Sequence, residues 1–116
     1  MTTIKELQEY IGHKFGNDFE DYKNFETKFI DYIRSLCKKN GWEIEKVNEG
    51  YYMFSVLIKD FNKAAYISIS DLRYSPDGWN DHILVCDFQR EGGFAYGHSY
   101  TNLEGLEDGI RRSLAF

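Results

Sequence analysis

Three histidines, His13, His82 and His98, and two cysteines, Cys37 and Cys86, are the side chains of this 116-residue chain best suited to general-base, nucleophilic or metal chemistry. A metal centre asks for ligands paired within a helical turn or two residues apart, and no two of these five stand at such spacing. Asp77, Asp81 and His82 do gather around one loop and could offer a mixed oxygen and nitrogen set. The same stretch reads more simply as a turn at Asp77-Gly78 with Asn80 or Asp81 capping the loop. A small hydrolase built on His82 or His98 with Asp77 or Asp81 would lack an evident nucleophile. Cys37 lies on a helical apolar stripe and Cys86 among Ile83, Leu84, Val85 and Phe88, where a thiol behaves as a small buried hydrophobe. No metal and no cofactor is expected, and catalysis is the weaker reading.

Two other constellations suggest binding. In Arg90-Glu91-Gly92-Gly93-Phe94-Ala95-Tyr96-Gly97-His98 the glycines could expose backbone N–H groups to a phosphate, but such loops lead into a helix, and here the chain reads as extended. A hairpin turn with a glycine-permitted bulge accounts for it. Gly97, His98 and Tyr100, just before the last helix, then form the edge of a candidate small-molecule or nucleotide pocket. The second constellation is aromatic. Nine Tyr, nine Phe and two Trp make up 17% of the chain. Several lie on strands or in the breaker-rich segment Ser75–Asp81 with few basic neighbours, which disfavours single-stranded nucleic acid. Tyr and Trp dominate protein interfaces because they bury large areas while losing few rotors. Arg73, Tyr74, Asp77, Trp79, Asp81 and Tyr96 are therefore the candidate partner contacts.

The elements that must position these residues follow from hydrophobic period. Thr3 and Glu6 read as a capping box, followed by a stripe of Ile4, Leu7, Ile11 and Phe15 that stops at Gly12 and Gly16. Asn17 or Asp18 caps a longer helix, with Phe19, Tyr22, Phe25, Phe29, Ile30, Ile33, Leu36 and Cys37 recurring at three and four. Lys38-Lys39-Asn40-Gly41 closes it. From Trp42 the period becomes two, with turns expected at Asn48-Glu49-Gly50, at Asp60–Lys63 and at Glu91-Gly92-Gly93. Thr101 and Glu104 form a second capping box, ahead of Leu103, Leu106, Ile110 and Leu114. The expectation is one α+β domain over residues 1–116: two N-terminal helices, an antiparallel meander of four to five strands, and a C-terminal helix on one sheet face. Ala65, Ile67 and Ile69 alternate with Tyr66, Ser68 and Ser70, so the other face is partly polar and partly aromatic.

Charge and hydropathy bound the partners. The formal charge of −5 disfavours a protein that neutralises phosphates, so no direct nucleic-acid partner is expected. No apolar run approaches the ~20 residues that cross a bilayer, and the N-terminus lacks a signal-peptide pattern, so the expected place is the cytoplasm. Around Ser70-Asp71-Leu72-Arg73-Tyr74, Trp79, Ile83-Leu84-Val85 and Gly97-His98-Ser99-Tyr100-Thr101-Asn102-Leu103, the chain resembles small acidic accessory proteins of phages and mobile elements of Gram-positive bacteria. The resemblance spans the latter two-thirds of the chain, and Cys86–Glu91 departs from it in being less basic. It implies membership in a class that includes anti-CRISPR inhibitors, acting in the cytoplasm of a bacterial host. The expected function is a non-enzymatic, protein-binding inhibitor that blocks a nucleic-acid-binding or assembly surface of a defence protein such as a CRISPR nuclease. The alternative is the ligand pocket at His98, and a homodimer is compatible with either.

Overall fold

The structure, a computed structural model, describes residues 2–71, 73, 78–89 and 92–115. These residues form an α+β arrangement of three α-helices, a short 3-10 turn and a five-stranded antiparallel sheet. In chain order these are α1 (Ile4–Gln8), α2 (Phe19–Asn40), β1 (Glu43–Gly50), β2 (Met53–Asp60), β3 (Lys63–Ile69), the 3-10 turn Asn80–His82, β4 (Ile83–Gln89), β5 (Phe94–Thr101) and α3 (Leu106–Leu114). Strand order in the sheet is the order in sequence, β1-β2-β3-β4-β5.

Local chemistry explains the helices. The Thr3 hydroxyl accepts from the Glu6 N–H and starts α1, which ends at Gln8. The expected stripe therefore breaks: Ile11 is 46% exposed, whereas Phe15 is carried into the core by the loop rather than by a helix. The Asp18 carboxylate accepts the Asp21 N–H (3.0 Å) at the start of α2, and Gly41 stops it with φ +75°, a conformation that β-carbons disfavour. Every residue of the expected α2 stripe is buried except Phe19. Tyr32 and Glu26 are buried with them, and Glu26 is fully enclosed.

One sheet face meets this stripe. Phe54, Val56 and Ile58 pair in register with Ile69, Ile67 and Ala65, and with Ile83 and Val85 of β4 they form the floor of the core. Helix α3 contributes Leu106, Ile110 and Leu114, with Leu103 just ahead of it. The Ser113 hydroxyl ties it to β4 through the Cys86 carbonyl (3.2 Å) and the Asp87 carboxylate (2.7 Å). Its far side is tied to α2. Glu107 accepts from the Asn40 amide (2.9 Å) and from Lys39 (3.2 Å), while Arg111 donates to Asn40 (3.2 Å).

Two boundaries differ from expectation. The β1–β2 turn is Tyr51-Tyr52, with Gly50 paired to Met53, so Asn48 and Glu49 are strand residues. Tyr52 takes the left-handed conformation (φ +56°) that turns usually give to Asn or Gly. Its ring contacts compensate, lying 5.2 Å from Phe19 and 5.1 Å from Tyr22 between centroids. The second capping box does not form. Thr101 remains in β5, and the Asn102 side chain instead accepts the Gly105 N–H (2.9 Å) ahead of α3.

Candidate functional site

Among the described residues the helices cover one face of the sheet, and the register defines the other. Asn48, Ser55, Ser68, Leu84 and Tyr100 form one row across all five strands. Lys46, Leu57, Tyr66 and Cys86 form the next. In β5 two residues, Gly97 and His98, stand against the single residue Cys86, so the strand bulges there. Gly97 has φ +65°, and a β-carbon on it would lie 3.1 Å from the Asp87 carboxylate, which explains a glycine at this point. The bulge places His98 on the open face, where it borders a depression of about 380 Å³ together with Ser55, Tyr66, Ser68, Leu84 and Cys86.

This open face has an apolar and aromatic centre with a polar surround. Leu57, Tyr66, Leu84 and Phe88 are half-buried, Met53 is 47% exposed and Tyr100 67% exposed. Ser55 is buried and its hydroxyl accepts from the Asn48 amide (3.4 Å). At the β1 edge Glu43 pairs with Lys59 (3.4 Å), Glu45 and Lys46 are exposed, and Glu49 stands opposite the core residue Phe54 and pairs with Lys23 of α2 (3.4 Å). The chain matches no known protein family. No curated protein and no solved structure is significantly similar to it either. The site therefore has to be read from its own geometry.

Of the six residues expected to form a partner patch, the four that the structure describes do not converge. Tyr74 and Asp77 lie outside the described residues. Trp79 is a correction: it is 2% exposed, packed 4.8 Å from Phe25 and 5.8 Å from Phe29, and its indole N–H donates to the Tyr10 carbonyl (2.8 Å). A partner cannot reach it. The reason is long-range: the aromatic stripe of α2 lies about fifty positions away in sequence and accepts the ring that a loop seemed to display. Arg73 forks onto the Asp71 carboxylate (3.0 Å for each bond) and stacks 3.9 Å from the Tyr52 ring centroid and 5.1 Å from that of Tyr51. The guanidinium holds the Asp71 carboxyl below the usual carboxylate range. Its charge thus acts mainly within the chain. Asp81 is exposed on the 3-10 turn, and Tyr96, 43% exposed, lies on β5 beside Asp87 on the helix side of the sheet. Arg73 and Tyr96 sit over opposite margins of the sheet.

The alternative triplet fares differently. Gly97 shapes the bulge, His98 borders the depression and Tyr100 lies in the first row of the same face, 6.2 Å from the His82 ring centroid. Sequence reading missed Tyr66, Leu84 and the serines as surface residues of one site, although the alternation of Tyr66, Ser68 and Ser70 with Ile67 and Ile69 carried that signal.

The reactive side chains are placed as follows. Both cysteines are free and buried, and burial pushes the Cys37 thiol up to about 11 and raises that of Cys86, with Asp87 adding to it. His13 meets the Asp21 carboxylate at 2.5 Å on the surface. Among the described residues no three His, Cys, Asp or Glu side chains cluster as a metal would require. No described helix is long and apolar enough to cross a membrane.

Proposed function

We propose that the chain is a protein-binding module that acts by occupancy, with the open face of the sheet as its contact surface. The observation that carries this reading is a sheet face that no described helix covers. Tyr66, Leu57, Leu84, Phe88 and the exposed Met53 and Tyr100 form an apolar centre on it. Burying such a centre supplies affinity, while the net charge of −5 speeds encounter with a basic surface and disfavours an acidic one. The partner class implied is a protein with a basic, nucleic-acid-binding surface. A bacterial defence protein such as a CRISPR nuclease has that character, and the formal charge of −5 suits it. The mechanism is competitive: a folded acidic surface fills the channel or assembly face that nucleic acid would otherwise use.

The test is inhibition of target-DNA cleavage by CRISPR nucleases of Gram-positive bacteria, comparing the native chain with Tyr66→Ala and Leu84→Glu. Inhibition by the native chain, lost in both variants while their far-UV circular dichroism is unchanged, supports the reading. Inhibition that survives Leu84→Glu moves the contact off this face, and no inhibition of any nuclease tested removes the partner class.

A second reading has one observation in its favour. The depression beside His98 collects Ser55, Ser68, Ser70 and Asn48 around a floor that includes Leu84 and Cys86, a setting suited to an uncharged, hydroxyl-bearing small molecule or a nucleoside. A ligand of this kind would raise the melting temperature with concentration, and Ser68→Leu would abolish that shift.

A further inference from the structure

Tyr52 carries two costs at once. Its backbone is held at φ +56°, and its hydroxyl, buried with the rest of the side chain, meets no hydrogen-bond partner. A side chain other than glycine's strains left-handed backbone, and a buried hydroxyl left unbonded gives up its contact with water for nothing. The contacts with Phe19 and Tyr22 explain how the conformation is held, not what it serves. Such costs gather where a chain is shaped around a ligand.

What the conformation builds is an aromatic corner. The rings of Tyr51 and Tyr52 stand 4.7 Å apart between centroids and at 87° to each other, and Phe19 lies 5.4 Å from the first and 5.2 Å from the second. The Arg73 guanidinium sits in the corner, 3.9 Å from the Tyr52 centroid and 5.1 Å from that of Tyr51. The Asp71 carboxylate accepts from its Nε and Nη2, each at 3.0 Å. Two ring faces and a forked carboxylate are what a guanidinium needs: the rings attract a flat cation, and two parallel N–H···O bonds select its shape over that of an ammonium. Asp18, next to Phe19 in the chain, adds negative charge beside Tyr52. The corner also reaches the surface, since Tyr51 is 66% exposed and Phe19 39%.

We propose that the corner of Tyr51, Tyr52 and Asp71 is a recognition site for an arginine side chain of a partner protein, and that Arg73 occupies it as a built-in competitor. The chain's own arginine shows the chemistry of the occupant, and the unbonded Tyr52 hydroxyl offers an incoming guanidinium one more acceptor. An outside arginine enters only when Arg73 swings out, so its apparent affinity falls with the fraction of molecules whose corner is vacant. A protein-borne arginine suits the site better than the free amino acid, whose α-carboxylate would approach Asp18 and Asp71. The corner lies at the β1–β2 turn on the helix side of the sheet, away from the open face, so the inference goes beyond the binding role proposed above and does not depend on it.

Titration of the whole chain with N-acetyl-arginine amide, followed by NMR at the backbone amides of Gly50 to Met53, tests this. The native chain should bind weakly and Arg73→Ala at least about fivefold more tightly, because the corner is then vacant. Arg73→Ala/Tyr51→Ala should lose that gain, since one wall is gone. N-acetyl-lysine amide and free arginine should bind Arg73→Ala less well than the capped arginine. Thermal midpoints report that each variant has folded, and Arg73→Gln, which keeps the stem and removes the charge, takes the place of Arg73→Ala if that variant does not fold. No tightening in the vacated variant overturns the proposal. So does tightening that survives Tyr51→Ala or that the lysine probe matches, since the corner then does not select a guanidinium. Tighter binding of free arginine than of the capped probe overturns the assignment to a protein-borne side chain. None of these outcomes alters the Tyr66 and Leu84 inhibition results, so the two ideas fail separately.

Discussion

Replacing Trp79 separates a core role from a contact role most sharply. Its indole fills space between Phe25 and Phe29 and holds the Tyr10 carbonyl at 2.8 Å, binding the loop after α1 to the loop before β4. Truncating a buried Trp to alanine removes its transfer energy and leaves a cavity, about 3–5 kcal/mol together. The ordinary stability of a domain is only about 5–15 kcal/mol, so Trp79→Ala should forfeit a large share of it. With a urea dependence of about 2 kcal/mol per molar, a loss near 4 kcal/mol lowers the midpoint by roughly 2 M. Trp79→Phe keeps an aromatic ring but strips the Tyr10 carbonyl of its donor, a loss of about 1–3 kcal/mol. Urea unfolding followed by far-UV circular dichroism measures both. A Trp79→Ala variant within about 1 kcal/mol of the native chain would refute the packing argument and return this ring to the surface.

Other expectations follow from single features. Phe61 at the β2–β3 turn is 93% exposed with φ +55°, so Phe61→Asn should raise stability by roughly 0.5–1 kcal/mol in the same urea assay. Native Cys37 and Cys86 should resist an exposed-thiol reagent at pH 8 and both react promptly in denaturant, since burial both shields them and raises their thiols. Glu107 is held below its ordinary range by the Asn40 amide first, then by Lys39 and Arg111. Its contribution is full above the unfolded carboxylate value of about 4.3 and is lost as pH falls through the lower folded value. Glu107→Gln should therefore cost about 1 kcal/mol at neutral pH and nothing at strongly acid pH, read as the gap between two urea-stability profiles.

Much of the architecture was legible because it rests on local chemistry. The Thr3 and Asp18 caps, the stripe of α2, the Gly41 stop and the sequential strands are each specified by residues within a few positions of one another. The departures share a different cause. Tyr51-Tyr52 does not look like a turn, and becomes one because Phe19, Tyr22 and Arg73 hold Tyr52 in a conformation that its own backbone disfavours. Glu26 sits at a helical position suited to the core, yet nothing local says that Lys23 and the Tyr22 hydroxyl will meet its carboxylate there. Trp79 departs from expectation for the same reason, its pocket being made by a distant helix. For the site, alternation identified a second face of mixed character, but the bulge that sets His98 over Ser68 and Tyr66 needed the β4–β5 register. Arg73 was singled out by type, while its engagement with Asp71 and two tyrosines depends on how the loop folds back.

The chain-order sheet also bears on how the protein is made. Each strand pairs with the one synthesised just before it, so the sheet can grow hairpin by hairpin as the chain lengthens, without waiting for a distant partner. Helix α2 emerges ahead of all of them with its aromatic stripe unmet. The last helix closes the molecule, bringing Glu107 and Arg111 back to Lys39 and Asn40 nearly seventy positions upstream. A nascent chain halted before Leu106 has its strands but leaves Ile83 and Val85 without their cover, and that is the stage at which it most needs protection from aggregation.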